Sequence, residues 1–148
     1  MKKILFVCLG NICRSPMAEA IMNNLITDEN IKAFSCGTAS YHVGEKPHKE
    51  TLKKLKEHNI ETNYLKASVL KEDDYLHYDY IIAMDENNLA DIYRKFKKTK
   101  EELSKEKVII KKLLPYDVPD PWYTGNFDET YKLSVEGCTK LFEEIKKG

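Results

Sequence analysis

Residues 4–7, Ile4-Leu5-Phe6-Val7, form an unbroken apolar run between two lysines and the segment Cys8-Leu9-Gly10-Asn11. A short run without polar alternation is the pattern of a strand covered on both faces. The period changes after Pro16, where Met17, Ala20, Ile21 and Leu25 fall at helical spacing. Ser15 has the chemistry of an N-cap, Pro16 that of the first helical position, and Glu19 complements the positive end of the helix. The chain thus opens as strand, loop (residues 8–15) and helix. Residues 31–35 predict a second strand, ended by a turn at Cys36-Gly37. Residues 48–59 predict a helix with Leu52 and Leu55 inward and lysines outward. A third strand follows at 79–84, then a helix from Glu86 to about Lys97 and a short strand at 108–110. A loop rich in Pro and Asp (115–125) leads into a last helix from about Asp128 to Lys147. Strands alternating with helices predict an α/β fold with a parallel sheet. Such sheets bind ligands beyond the carboxyl ends of their strands, at a topological switch point. The loop that begins at Cys8 leaves strand one at that end.

With 148 residues, no repeat and no linker-like tract, the pattern predicts one domain spanning 1–148. Lys+Arg and Asp+Glu number 24 each, so the formal net charge is zero. That balance argues against a nucleic-acid or membrane partner, and any affinity for phosphate has to come from a local site. No apolar stretch approaches the ~20 residues of a membrane span. The N-terminal run stops at Gly10-Asn11, too short for a signal peptide, so the sequence predicts a cytoplasmic protein. Cytosolic conditions keep the four cysteines (Cys8, Cys13, Cys36 and Cys138) reduced. The Cys8–Cys13 spacing is not that of a zinc site and no second ligand pair follows, so neither a metal nor another cofactor is expected.

The residues from Cys8 to Ser15, Cys8-Leu9-Gly10-Asn11-Ile12-Cys13-Arg14-Ser15, have the form C-x5-R-S. A loop of that length between a strand end and a helix N-terminus can curl so that its backbone N–H groups converge on one anion. Gly10 and Asn11 tolerate the backbone angles that curling requires. Arg14 can close the ring with a bidentate grip on two phosphate oxygens. The same field favours the thiolate of Cys8, the form that attacks phosphorus in line to give a phosphocysteine. Ser15 can donate to the sulfur and ease its departure. Taken alone, the bland reading of Cys8 is a small buried hydrophobe; its place between an apolar strand and a helix makes the chemical reading the stronger. Cys13 keeps two readings, a protective disulfide with Cys8 on oxidation or simple packing.

A leaving group whose oxygen has a high pKa, ~10 for a phenol such as tyrosine and higher for an alcohol, gains from a proton donor. Val118-Pro119-Asp120-Pro121-Trp122-Tyr123 supplies a candidate. Two prolines hold the backbone of Asp120 extended, and a neighbouring thiolate and phosphate dianion favour its protonated form. An Asp-Pro turn alone accounts for the dipeptide but not for the two aromatics behind it. Asp117 is a rival that lacks the following proline.

These segments resemble the low-molecular-weight protein tyrosine phosphatases. Residues 6–20 are similar to that family's signature, residues 79–88 (Asp79-Tyr80-Ile81-Ile82-Ala83-Met84-Asp85-Glu86-Asn87-Asn88) to its central strand and following turn, and Asp120-Pro121-Trp122-Tyr123 to its late loop. The resemblance covers essentially the whole chain. It implies a four-stranded parallel sheet in the order 2-1-3-4 flanked by helices on both faces, no metal, and hydrolysis of phosphotyrosine in proteins with release of inorganic phosphate. It implies Cys8 as nucleophile, Arg14 as phosphate clamp and Asp120 as general acid. Leu9, Gly10, Asn11, Ile12, Cys13, Arg14 and Ser15 would bind the phosphate. Asn11, Ser15 and Ser35 would support the loop, and Tyr41, Trp122 and Tyr123 would wall the cleft. Deep apolar walls select phosphotyrosine over the shorter phosphoserine. The chain departs from the family at Trp122, often a tyrosine there, and at Tyr64, where relatives often carry a loop-bracing histidine. Exposed Tyr41 and Trp122 imply a monomer or weak self-association.

Arsenate reductases of the same fold need further cysteines after the third strand, and Met84 to Lys100 contains none. Protein-arginine phosphatases carry threonine at the Ile12 position, and isoleucine has no hydroxyl to bond a guanidinium. An inactive phosphate-binding module would need neither Cys8 nor Asp120. A cysteine protease would need a partner histidine, and His42, His48, His58 and His77 sit in no such motif.

Overall fold

The computed structural model describes residues 1–148. Strand β1 (Lys2–Cys8) pairs in parallel with β2 (Ile31–Gly37) on one side and β3 (Tyr80–Ala83) on the other. Strand β4 (Ile109–Lys112) extends the sheet beyond β3, giving the order β2-β1-β3-β4. The order reverses between β1 and β3, so the switch point lies at the end of β1, where Cys8 stands opposite Gly37 of β2.

Alternation along β1 sends Ile4 and Phe6 to one face and Leu5 and Val7 to the other. The first pair joins Tyr80 and Ile82 in a core closed by Met17 and Ile21 of α1 (Arg14–Leu25), Leu55 of α2 (Lys49–Glu57), and Leu141 and Ile145 of α6 (Phe127–Lys147). The second pair joins Ile81 and Ala83 against Ile92 and Phe96 of α3 (Glu86–Phe96) and Leu103 of α4 (Lys100–Ser104). Helices cover both faces, which is why β1 reads as one apolar run. Gly137 lets α6 approach the sheet, because a Cβ there would clash with the Leu113 side chain.

Several boundaries differ from the sequence reading. Helix α1 begins at Arg14, and Cys13, not Ser15, holds its uncapped N-cap position. The Ser15 hydroxyl is engaged elsewhere, by Cys8 and Asn11. Pro16 is then the third helical residue, still within the turn whose N–H groups need no intrahelical partner. Glu19 lies beyond the first turn and accepts a hydrogen bond from Ser35 instead of facing the helix end. Strand β2 runs through Cys36-Gly37. In α2, Leu55 is fully buried but Leu52 only partly, since Thr51 takes the inward position and donates to the carbonyl of Cys13. The 115–125 loop contains a one-turn helix, α5 (Pro121–Thr124). Helix α4 was not anticipated, although its Thr99/Glu102 capping box is written in the sequence.

Candidate active site

Between β1 and α1, residues 9–13 curl around the Cys8 sulfur. Asn11 makes the tightest part of the turn in the left-handed region, at φ 59°, a conformation asparagine reaches at less cost than most side chains. Its backbone N–H points at Cys8 Sγ, 3.3 Å away. The backbone N–H groups of Gly10, Ile12 and Cys13 donate to no other protein group, so the loop has donors to offer an anion as a nest does.

The nest is held from behind by side chains of several elements. Asn11 Nδ2 donates to Ser15 Oγ at 2.7 Å and to Ser35 Oγ at 2.9 Å, and Asn11 Oδ1 accepts from the Ser68 N–H at 2.9 Å. Ser15 Oγ lies 3.0 Å from Cys8 Sγ. Having accepted from Asn11, it has its own proton to direct at the sulfur or at the more distant Cys36 carbonyl, 3.4 Å away. Ser35 donates to Glu19 Oε1 at 2.5 Å. Burial, only partly offset by this bond and by Lys32, raises the Glu19 carboxyl to about 7. The end of β2 also braces the loop: Thr38 and Ala39 donate to the carbonyls of Cys8 and Leu9. That approach needs Gly37, where a Cβ would stand 2.7 Å from the Leu9 carbonyl oxygen.

Arg14 is buried at 2% exposure. Its Nη1 donates to Asp85 Oδ2 at 2.7 Å and to the Val118 carbonyl at 2.9 Å, while Nη2 makes a longer contact of 3.4 Å with Asp120 Oδ2. Burial alone would lower its pKa, but the charges of Cys8, Asp85 and Asp120 hold it above the ordinary arginine value. Three of its five N–H donors are thus directed at protein groups, and Nε with the remaining Nη2 N–H is left for a planar, bidentate ligand.

Asp120 reaches the site because the Val118 N–H donates to the carbonyl of Met84 at the end of β3. Asp120 then takes extended angles (φ −79°, ψ 113°) and caps α5, its Oδ1 accepting from the Trp122 N–H at 3.0 Å. Its other oxygen faces Arg14. Asp117 is directed away: it accepts from the Glu86 N–H and from Lys112, and the Lys112 bond lowers its pKa.

A cleft of about 220 Å³ opens over the loop, lined by Cys8, Leu9, Gly10, Ile12, Cys13, Arg14, Tyr41, His42, Asp120, Trp122 and Tyr123. Tyr41, Trp122 and Tyr123 are 74%, 57% and 79% exposed and form its rim. Asn11, Ser15 and Ser35 stand behind the cleft as its support. Cys13 packs with Ile12 and Ala67, and burial together with the neighbouring Cys8 and Asp120 charges pushes its thiol up to about 12. It is a neutral thiol that shares the cleft with Cys8, so both readings of it stand. Tyr64 is no part of the loop support; its hydroxyl accepts from Asn23 on α1.

Sequence reasoning passed over three participants. Asp85 carried a signal as the N-cap of α3, but its bond to Arg14 joins residues 71 apart. His42 lies over Gly10, with its ring 6.3 Å from that of Trp122 and Nδ1 near Glu45. Ser68 contributes a backbone N–H, which no side-chain pattern reveals.

Residues 3–148 match the family of low molecular weight phosphotyrosine protein phosphatases. The low molecular weight protein-tyrosine-phosphatase YfkJ of Bacillus subtilis is 42% identical over 160 residues, covering 99% of this chain and 97% of YfkJ. PtpA of Staphylococcus aureus is 41% identical over 150 residues, covering 99% and 96%. The crystal structure of YfkJ superimposes with a TM-score of 0.89 over 99% of this chain and 96% of that one. DARP, the drosophila arginine phosphatase, superimposes with a TM-score of 0.86 at 31% identity, covering 99% and 98%. On fold, length and sequence, the chain belongs to the low molecular weight phosphotyrosine protein phosphatases, a family of hydrolases.

Proposed function

We propose that residues 1–148 act as one domain that hydrolyses phosphotyrosine in proteins, with Cys8 as nucleophile, Arg14 as phosphate clamp and Asp120 as general acid. The observation that carries this reading is the cleft itself, in which Cys8, Arg14 and Asp120 share one aromatic-rimmed opening. The phosphate sits in the nest of loop N–H groups against the free edge of Arg14. The Cys8 thiolate attacks phosphorus, the bond to the tyrosine oxygen breaks, and Asp120 gives its proton to that oxygen. Oδ1 accepts from the Trp122 N–H at 3.0 Å and Oδ2 has only the longer 3.4 Å contact with Arg14, so Oδ2 is the oxygen to carry the proton. Water then attacks the phosphocysteine, Asp120 takes a proton back, and inorganic phosphate leaves as Cys8 returns to thiolate. Ser15, 3.0 Å from the sulfur, stabilises the departing thiolate.

Phosphoarginine is the second reading, favoured by the likeness to the drosophila arginine phosphatase. Ile12 weighs against it, since an apolar side chain lines the cleft at a place where a hydroxyl could bond a guanidinium. Measuring kcat/KM for a phosphotyrosine peptide beside a phosphoarginine protein separates the two. Phosphotyrosine is expected to have the larger value, and a preference for phosphoarginine would overturn the assignment. No helix is long and apolar enough to cross a membrane. All four thiols are free and the proposed chemistry needs Cys8 reduced, which supports a site of action in the cytoplasm. The exposed rim aromatics support a monomer with at most weak self-association through this face.

A further inference from the structure

Helix α2 is tied to the active site at its first turn. The His48 N–H donates to the carbonyl of Ile12 at 2.8 Å, and Thr51 donates to that of Cys13. The His48 ring meets Trp122 edge-on at 5.8 Å and stacks on Phe127 at 5.0 Å. The helix therefore starts directly behind the Trp122 wall of the cleft, with Lys49 next in sequence to His48.

Two adjoining stripes of α2 differ in charge. Residues 50, 54 and 57 form a stripe that compensates itself, with Lys54 bonded to Glu57 and to Asp128. Lys49, Lys53 and Lys56 form the next stripe at i, i+4 and i+7, all exposed, and none has an ion-pair partner. They line an open groove with Leu52 and Ile60 as its apolar floor and Glu61 as its single acid. The chain's charges balance at 24 against 24, so this excess is a local one. At ~1.5 Å per helical residue the stripe is about 10 Å long, the span of roughly three residues of extended peptide at ~3.3 Å each.

We propose that this groove receives an acidic segment flanking the phosphotyrosine of a protein substrate, with Lys49, Lys53 and Lys56 as its charge partners. The inference rests on the phosphotyrosine reading above and adds to it a preference that the cleft alone does not supply. Rim pairs of this kind act mainly on encounter and on salt dependence. At roughly twofold for each exposed pair, three give a preference of about tenfold, screened as ionic strength rises.

The test compares matched phosphotyrosine peptides carrying three glutamates or three glutamines on one side of the tyrosine, with each flank tried in turn. For one flank the enzyme should favour the acidic peptide by about tenfold in kcat/KM at low ionic strength, through KM, and salt should bring the ratio toward one. Lys49→Gln/Lys53→Gln/Lys56→Gln should bring it near one without salt. Lys98→Gln/Lys105→Gln/Lys107→Gln removes the same charge from the α3–β4 connection, at the other end of the sheet, and should keep the preference. A wild-type ratio near one for both flanks would overturn the inference, as would a preference that survives in the α2 variant or is lost equally in the distal one. Turnover of neither peptide, with p-nitrophenyl phosphate still cleaved, would sink the phosphotyrosine reading and the groove's role with it.

Discussion

Residues 9–13 and residues 118–125 both line the cleft, yet they are held by different means. The first loop is buried and fastened by hydrogen bonds from α1, β2 and the backbone at Ser68. The second is more exposed and depends on two prolines, one backbone bond to β3 and the cap that Asp120 places on α5. Arg14 is the joint between them, bonded to the Val118 carbonyl and in contact with Asp120. Phosphate binding needs donors fixed to a few tenths of an ångström, and buried hydrogen bonds deliver that. In the proposed reaction, proton transfer to the leaving group would be served by a carboxylate on a stiff but accessible turn. Damage to the first loop should therefore cost fold and chemistry together, and damage to the second mainly chemistry.

The largest effects test that division directly. Cys8→Ser should abolish turnover, because a serine hydroxyl gains too little from the nest to attack phosphorus. Asp120→Ala should slow cleavage of a phosphotyrosine peptide by roughly 10²–10⁴-fold, the usual worth of a general acid. Its effect should shrink for an aryl phosphate whose phenol is more acidic, since that leaving group needs less help. The lost cap on a one-turn helix should cost only ~1 kcal/mol of stability. Rates across a series of leaving groups, with thermal melts, check both parts. An equal loss for every leaving group would mean that Asp120 positions the site but supplies no proton.

Asn11 sharpens the comparison from the other side. Asn11→Ala removes three hydrogen bonds, leaves Ser68 N–H without its partner and puts alanine at φ 59°. The expected loss is about 2–4 kcal/mol of stability, together with a fall in kcat/KM. Asn11→Gly removes the bonds but relieves the backbone, so it should recover the strain of roughly 1 kcal/mol and none of the activity. Denaturant unfolding of the pair, read beside their kinetics, separates the two contributions. Recovery of activity in the glycine variant would show that the loop needs only its backbone angles.

The same contrast explains what could be read from the chain in advance. β1, the loop and α1 were legible because one apolar run, one C-x5-R-S spacing and one helical period are all local. The order β2-β1-β3-β4 came from resemblance, because strands alternating with helices do not by themselves say which neighbours pair. Asp120 was legible through its prolines, and the same Asp-Pro pair, as N-cap and first helical residue, already spelled α5. The N-cap at Ser15 misled because the hydroxyl was judged by local chemistry, whereas the sulfur seven residues earlier claims it. Asp85 and Ser68 reach Arg14 and Asn11 across 71 and 57 positions, and only the folded sheet brings them there.

Glu19 gives the smallest effect and the finest test, because it stands at the outer end of the chain of bonds that runs through Ser35 and Asn11 to Ser15 and Cys8. Its carboxyl has no ion-pair partner, and burial raises it from the ordinary glutamate value of 4.5 to about 7. Between those two pH values the folded protein binds a proton that the unfolded chain has released, so this group's contribution to stability falls as pH rises through the window. The loss is complete above about 7 and absent below 4.5. Glu19→Gln keeps an oxygen to accept from Ser35 but has no charge to desolvate. The variant should therefore melt with the wild type at the acid end of the window and above it at pH 8, a difference of a few degrees. Parallel melting curves across the window would mean that Glu19 is ionised throughout, with Lys32 and the Ser35 bond outweighing its burial.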